Sequence, residues 1–300
     1  MLETLASLLS IIVGMTVGFA LRRFRIAEQA DGEFVFRIVF TVCLPALMFS
    51  ALATVEVTKN LIVFMVAPFV MVGAGFLGGL LVSRRRTLTR TQVPVVVVAA
   101  MIVNAGFTLP FVQALYGAPG VARIAVFDGI NGALTFSWVY YMAARGNPEH
   151  EGGSLLLNRM LRSPPLYGIV AGLGVNLSGL PPPGTLLDTA RPFADAVPVL
   201  LSLAIGIMFA PVTGELRRAA MIVATRLGTA LSIAVLIIVI FDLEGIDRTI
   251  MLLLGVAPIG TVTVTFASLE RLDVRLATSA LSLSLAVSVV LSLAVSLALG

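Results

Sequence analysis

Charged side chains are scarce in this chain, and their scarcity decides its broad class. Asp, Glu, Lys and Arg make up 12% of the 300 residues, while 58% of the residues are apolar. A typical soluble domain has about 25% charged residues and about 45–50% apolar ones. Charge-free apolar runs of about 18 residues or more, enough to cross about 30 Å of hydrocarbon, recur along the chain. The composition excludes a soluble protein and predicts an α-helical integral membrane protein.

The chain also has a single cysteine, Cys43, and a single histidine, His150. One cysteine can form neither an intrachain disulfide nor a cysteine-based metal site, and no HExxH motif is present, so we expect no metal and no cofactor. Without a Cys–His pair or a protease-like aspartate motif, an intramembrane enzyme is disfavoured. The basic residues form short clusters without interleaved aromatic residues, which predicts no nucleic-acid partner.

The uncharged runs predict ten helices that span a lipid bilayer. Inside hydrocarbon every backbone polar group must be satisfied, and the runs lack the alternation of barrel strands. The first run has no basic leader, so we expect a span there and not a cleaved signal peptide. The predicted spans are 4–21, 34–54, 60–82, 92–115, 121–143, 164–180, 185–210, 219–241, 247–268 and 275–299.

The arginines predict how these spans are oriented, since Lys and Arg mark cytoplasmic loops. Clusters of arginine fall in every second loop, beginning with Arg22, Arg23 and Arg25. With ten spans, both termini then face outward from the plasma membrane, which is the inner membrane of a bacterium. The longest linker, 144–162, is predicted to be cytoplasmic and divides the chain into five-helix halves, 1–143 and 163–300. An odd number of spans gives the two halves opposite orientations.

Two halves of opposite orientation are typical of secondary transporters built from inverted repeats, which bind substrate between the repeats at interrupted helices. Prolines occupy matching places in the two halves. Pro45 and Pro198 lie in the second spans, and Pro110 and Pro258 lie in the fourth spans. Because proline removes a helical hydrogen bond, we predict that these spans are interrupted. Ordinary kinks without a functional role are the alternative.

Four segments resemble the auxin efflux carrier family, whose prokaryotic members are permeases for malonate or other carboxylates. They are FTVCLPALMFSAL, NAGFTLPF, SPPLYGIVAGLGVN and AVPVLLSLAIGIMF, and the resemblance covers essentially the whole chain. It implies two inverted five-helix repeats with crossing, broken fourth and ninth helices, an elevator-like movement of a transport part against a scaffold, and a homodimer. The chain departs from the plant carriers at Thr263, where they have a second proline, and in its third span, which has no ionisable residue.

The expected substrate is a small organic anion, such as malonate or an auxin-like acid, bound where the fourth and ninth helices break. The Asn104 amide can donate to a carboxylate and matches an asparagine of the family, whereas a plain interhelical hydrogen bond is the alternative. A broken helix also offers free amides at its new N-terminus, which suit an anion. The predicted substrate-binding residues are Asn104, Gly106, Thr108, Pro110, Pro258, Gly260, Thr261 and Thr263.

Two carboxylates within spans are candidates for coupling transport to Na⁺ or H⁺, because a lone charge in a membrane is costly. Asp128 has Asn131 three residues later, on the same helical face, and the two are predicted to form a cation or proton site. The alternative for Asp128 is a bond to Arg123 or to another polar group. Asp195 is the second candidate, and the alternative is an ion pair with Arg191.

Two arginines also lie within spans. Arg37 and Arg226 stand near the predicted cytoplasmic ends, where we expect them to extend to the membrane interface. Small-residue faces at Gly14–Gly18 and Gly75–Gly79 permit close helix packing, either within the chain or in a dimer. A channel or a signalling receptor on the same fold stays open as an alternative to a transporter.

Overall fold

The computed structural model describes residues 2–55, 59–84, 88–147, 164–179, 181–182, 184–209 and 215–299. Within these ranges the regular structure is helical, apart from one isolated antiparallel bridge. Five helices are long and apolar enough to cross a membrane: Gln29–Thr54, Asn60–Ser83, Gly184–Met208, Leu216–Phe241 and Val274–Leu299. The predicted all-helical membrane class is confirmed, while the count of ten spans stays a prediction.

The first half of the chain contains α1 (Leu2–Arg23), α2 (Gln29–Ile38), a π-helical turn (Val39–Cys43), α3 (Leu44–Thr54), α4 (Lys59–Ser83), α5 (Gln92–Met101), α6 (Ala105–Leu134), a second π-helical turn (Thr135–Val139) and α7 (Tyr140–Ala144). α6 bends at Gly117, whose φ of 55° is a left-handed conformation that favours glycine. This bend falls between the predicted fourth and fifth spans. We call the part of α6 after it the second limb.

The second half contains α8 (Pro164–Leu177), α9 (Gly184–Met208), α10 (Leu216–Phe241), α11 (Gly245–Gly255), α12 (Val262–Leu269) and α13 (Val274–Leu299). The predicted ninth span is therefore two short helices, α11 and α12, with an irregular segment between them. Most of the predicted linker at 144–162, with His150, lies outside the described residues.

The helices pack as two bundles. The first bundle comprises α1, α2, α3, α8 and α9, and the second comprises α4, α5, α6 and α10 to α13, with α6 also contacting the first bundle. Small residues allow the closest approaches. The Leu203 carbonyl fills the space that a side chain at Gly18 would need, and the Ala100 carbonyl does the same at Gly75. Both small-residue faces are thus used for packing within the chain, and the homodimer stays a prediction.

Neither Pro45 nor Pro198 breaks its span, so these two predicted interruptions are wrong. Pro45 stands in the first turn of α3, directly after a π-helical turn, where a missing amide costs little. Pro198 lies inside the continuous α9. The carbonyl of Ala194, one turn earlier, loses its helical donor there and accepts a hydrogen bond from Gln113 Nε2 at 3.0 Å instead. A donor from another helix therefore satisfies the backbone without a break.

Candidate functional site at two helix interruptions

The fourth predicted span is interrupted between α5 and α6. Ile102 has an extended backbone, with φ −80° and ψ 124°, so α5 stops there. Asn104 is the N-cap of α6, and its side-chain Oδ1 accepts a hydrogen bond from the Phe107 amide at 3.2 Å. Asparagine is among the best residues for this position. The interruption therefore precedes Pro110, which lies inside α6 and does not cause it.

The ninth predicted span is interrupted over residues 256–261, between α11 and α12. Pro258 lies in this segment, and its carbonyl accepts a hydrogen bond from the Asn104 amide at 3.2 Å. Val103 and Ile259 form the isolated antiparallel bridge. The two irregular segments, distant in sequence, thus cross and pair with each other through their backbones.

Side chains from three helices satisfy further backbone groups at this crossing. Arg226 Nε, on α10, donates to the carbonyl of Ile102 at 3.0 Å, and Asn131 Nδ2, on α6, donates to the following carbonyl at 2.9 Å. The Ile259 amide donates to Ser284 Oγ, on α13, at 3.2 Å. Unpaired backbone groups in hydrocarbon cost several kcal/mol each. These bonds therefore hold the irregular segments in one conformation.

A cavity of about 180 Å³ lies beside the crossing, between the two bundles. The first bundle supplies an apolar wall, formed by Phe36, Phe40, Leu44, Pro165, Leu166, Ile169 and Leu201. The second bundle supplies the polar groups and the backbone of the crossing, with Asn104, Gly106, Asp128, Asn131, Thr135, Gly260 and Thr261 among them. Among the described residues that line it, none is Lys, Arg or His.

Two helices begin at this cavity. Ala105 and Gly106, at the start of α6, and Thr261 and Val262, at the start of α12, all line it. The amides of Ala105, Phe107 and Thr263 already donate to nearby carbonyls, but each helix N-terminus carries the equivalent of roughly half a positive charge. Asn104 adds its side-chain Nδ2, because only its Oδ1 is used in capping. The cavity can therefore bind an anion without a cationic side chain.

Asp128 and Asn131, near the end of α6, and Thr135, one turn later, line the same cavity. Asn131 Nδ2 donates to Asp128 Oδ1 at 3.1 Å. Asn131 Oδ1 and Thr135 Oγ1 are buried and have no hydrogen-bond partner in the described part of the chain. Buried polar atoms are normally paired, so these two oxygens are open to a ligand. Thr135 also begins a π-helical turn, a feature frequent at functional sites.

Comparison with known proteins identifies the family. A family model described as membrane transport protein matches residues 4–296. The chain belongs to this family. The match confirms the resemblance to the auxin efflux carriers, a family of membrane transporters and not of enzymes. The chain is also 25% identical over 291 residues to an uncharacterized transporter of Methanothermobacter thermautotrophicus, an alignment that covers 95% of this chain and 94% of that protein.

In this membrane transport protein, most of the residues predicted to bind substrate or ions line the cavity. Those that line it are Asn104, Gly106, Asp128, Asn131, Gly260 and Thr261. Pro258 forms the crossing through its carbonyl. Thr108 does not line the cavity, since it is buried and its Oγ1 donates to the carbonyl of Ala105 at 2.7 Å. Pro110 and Thr263 are likewise buried in α6 and α12, away from the cavity.

The second carboxylate predicted for coupling is not part of the site. Asp195 is exposed on α9, with Oδ2 3.9 Å from Arg191 Nε, so the ion pair considered as the alternative is the one that forms. Asp128 does not pair with Arg123 either. Arg123 forms a buried ion pair with Asp247 at the start of α11. Asp128 thus remains the carboxylate of the cavity.

Sequence reasoning misplaced Arg226. Its side chain is 1% exposed and bonds the crossing, so the expected extension to the membrane interface is wrong. The sequence did hold a signal for this burial. Arg226 lies eight residues beyond Arg218, which corresponds to about 12 Å along a helix and places it well inside the span. Thr135 was also missed, although its position seven residues after Asp128 places both on one helical face.

Proposed function

We propose that this membrane transport protein is a secondary transporter for a small organic monocarboxylate with an apolar body. The observation that carries the proposal is the pair of helix N-termini, with Asn104 Nδ2, facing an apolar wall across one cavity. Two termini of roughly half a charge each balance one carboxylate. A second carboxylate, as in malonate, would face either the apolar wall or Asp128. We therefore expect dicarboxylates to bind more weakly than monocarboxylates of similar size.

Alternating access would arise from an elevator-type shift of the second bundle against the first. The cavity lies between the bundles, and two neighbouring cavities of about 20 and about 270 Å³ extend from it. Phe36 and Thr261 line all three, and the largest also reaches Gln29 and Glu33 at the start of α2. This series leads toward the end of the bundle where Arg22 lies in the last turn of α1, the side that we infer to be cytoplasmic.

Ten spans in two inverted repeats are the arrangement we infer, and two polar clusters support it. The first cluster joins the starts of α4, α11 and the second limb of α6. Asn60 Nδ2 donates to Asp247 Oδ2 at 2.8 Å, and the same carboxylate pairs with Arg123. These are the beginnings of the third, ninth and fifth predicted spans.

The second cluster joins the starts of α10, α5 and α13, which belong to the eighth, fourth and tenth predicted spans. Gln92 Nε2 donates to Asp273 Oδ2 at 2.9 Å and to Glu215 Oε2 at 3.2 Å. Each cluster joins the third and fifth helices of one repeat with the fourth helix of the other repeat. Residues 60 and 215, at the starts of the third helices of the two repeats, are as far apart in sequence as residues 92 and 247, at the starts of the fourth helices. With five helices in each repeat, both termini lie on the outer side of the plasma membrane.

We further propose that Asp128, Asn131 and Thr135 bind the coupling cation, Na⁺ or H⁺. Two of the three groups are neutral oxygens, which suit a hard metal cation and add nothing to proton transfer, so Na⁺ is expected. In purified protein, Na⁺ should strengthen carboxylate binding at constant ionic strength, and Asp128→Asn should abolish this dependence. Dependence on pH with none on Na⁺ would assign the role to a proton instead.

The function itself is tested by ligand-induced stabilisation, because a ligand that binds only the folded state raises the melting temperature. Phenylacetate, malonate and the neutral phenylacetamide are suitable probes. We expect the largest shift with phenylacetate, and saturable uptake of it into proteoliposomes. Currents that do not saturate would indicate a channel, and binding without uptake would indicate a receptor. No shift and no uptake with any carboxylate would refute the proposal.

A further inference from the structure

Arg226 is a buried charge without an ionic partner. Its side chain is 1% exposed, Nε donates to the Ile102 carbonyl at 3.0 Å, and Nη2 has no hydrogen-bond partner. No carboxylate of the described residues lies within ion-pair distance of it, whereas the other buried arginine, Arg123, pairs with Asp247. A guanidinium remains charged in proteins, and a buried charge without compensation is expensive. No direct ion pair therefore neutralises this charge within the described residues.

An anion bound in the cavity would interact with the Arg226 guanidinium. Ile102 lines the cavity and its carbonyl accepts from Arg226, so the guanidinium lies directly behind a residue of the cavity wall. The next carbonyl along the chain bonds Asn131, which also bonds Asp128. One cation and one carboxylate thus flank the same irregular segment without touching each other.

We propose that Arg226 is the fixed counter-charge for the transported anion and the positioning residue of the crossing. The inference rests on the proposed function, since it requires an anionic substrate. The charge acts through the wall of the cavity, so it attracts the carboxylate without forming a direct salt bridge that would slow release. The third and eighth predicted spans are the third helices of the two repeats. The third span has no ionisable residue, so Arg226 on the eighth span is the charged residue of this pair.

The expected effect is large enough to measure. With a peptide unit of about 3.8 Å between Cα atoms, a carboxylate in the cavity lies roughly 8 Å from the guanidinium. At an effective dielectric constant of about 20, this separation corresponds to about 30-fold in the dissociation constant. Added salt should change the affinity little, because buried charges are weakly screened.

The test compares Arg226→Lys, Arg226→Gln and Arg226→Met with a matched control, Arg37→Gln, at an exposed arginine outside the cavity. Lysine keeps the charge, glutamine keeps a donor for the Ile102 carbonyl, and methionine keeps neither. Phenylacetate and phenylacetamide serve as charged and neutral probes. We expect the preference for phenylacetate to fall at least tenfold in Arg226→Gln and Arg226→Met, and to stay within about threefold in Arg226→Lys and Arg37→Gln.

Arg226→Gln with a wild-type preference for phenylacetate would overturn the counter-charge role and leave the proposed function standing. If the neutral variants do not fold, the wild-type protein decides. Its dissociation constant for phenylacetate should change less than about twofold between about 50 and about 500 mM choline chloride at fixed Na⁺. A tenfold increase, or loss of the preference in Arg226→Lys, would overturn the proposal. A wild type that binds no carboxylate would refute the proposed function itself.

Discussion

The Asn104 side chain caps α6 through Oδ1, and we propose that it binds the substrate through Nδ2. The variant Asn104→Asp keeps the first role and removes the second. Asn104 Oδ1 caps α6 by accepting from the Phe107 amide at 3.2 Å, while Nδ2 is left for a ligand in the cavity. Aspartate caps a helix as well as asparagine does, and its charge is favourable at a helix N-terminus. It has no donor, however, and places a negative charge where we propose that the substrate carboxylate binds. We expect a stable protein that no longer binds the anion.

The magnitudes at Asn104 make the two effects easy to distinguish. Like charges about 4 Å apart at an effective dielectric constant of about 20 repel by about 4 kcal/mol. The lost hydrogen bond to a charged group adds about 1.5–3 kcal/mol, so carboxylate binding should weaken by more than about a thousandfold. The free energy of unfolding should change by less than about 1 kcal/mol, while Asn104→Ala, which removes the cap, should lose about 1 kcal/mol.

The assay is a titration of melting temperature with phenylacetate, followed by uptake in proteoliposomes. Asn176→Asp is the matched control, because Asn176 Nδ2 donates to the Val55 carbonyl at 2.7 Å, outside the cavity. That variant should melt at a lower temperature and bind phenylacetate as the wild type does. Asn104→Asp that binds phenylacetate within tenfold of the wild type would refute the assignment of Nδ2 to the substrate.

Two further predictions concern the packing that holds the site. Arg123→Met leaves the Asp247 carboxylate buried without its partner and should lower the free energy of unfolding by about 3–5 kcal/mol. Replacing both with apolar residues should recover most of it, and a single-variant loss below about 1 kcal/mol would contradict this. Gln113→Ala removes the donor to the Ala194 carbonyl and should cost about 1–3 kcal/mol. Adding Pro198→Ala restores a helical amide, and failure to regain stability would exclude this explanation.

Pro198 and Pro258 show how much of the architecture the sequence predicts. Each proline removes a helical donor, and the apolar runs around them correctly predicted a helical membrane protein. At Pro258 the helix stops, and the proline carbonyl pairs with the Asn104 amide. At Pro198 the helix continues, because Gln113, 81 residues from Ala194, supplies the missing donor. A lost donor is visible in a sequence, whereas the distant group that replaces it is not.

The candidate site was predictable in part for a related reason. Asp128, Asn131 and Asn104 are polar residues deep inside apolar runs, and the structure places all three at the cavity. Asp195 and Arg226 have the same kind of sequence environment, yet one is exposed and the other is buried at the crossing. Helices that are apolar all round carry no stripe to indicate which face meets protein and which meets lipid. The position of a residue along such a helix can be estimated from the sequence, but whether its side chain faces protein or lipid cannot.

The pairing of Val103 with Ile259 has a consequence for how the protein is made. The ribosome synthesises the first half of the chain before residues 258 and 259. The Asn104 amide therefore lacks its acceptor, the Pro258 carbonyl, until the ninth segment has been made. The cavity beside the crossing therefore does not exist in a nascent chain that contains only the first half. It comes into being late in synthesis, when the ninth segment is inserted beside the fourth.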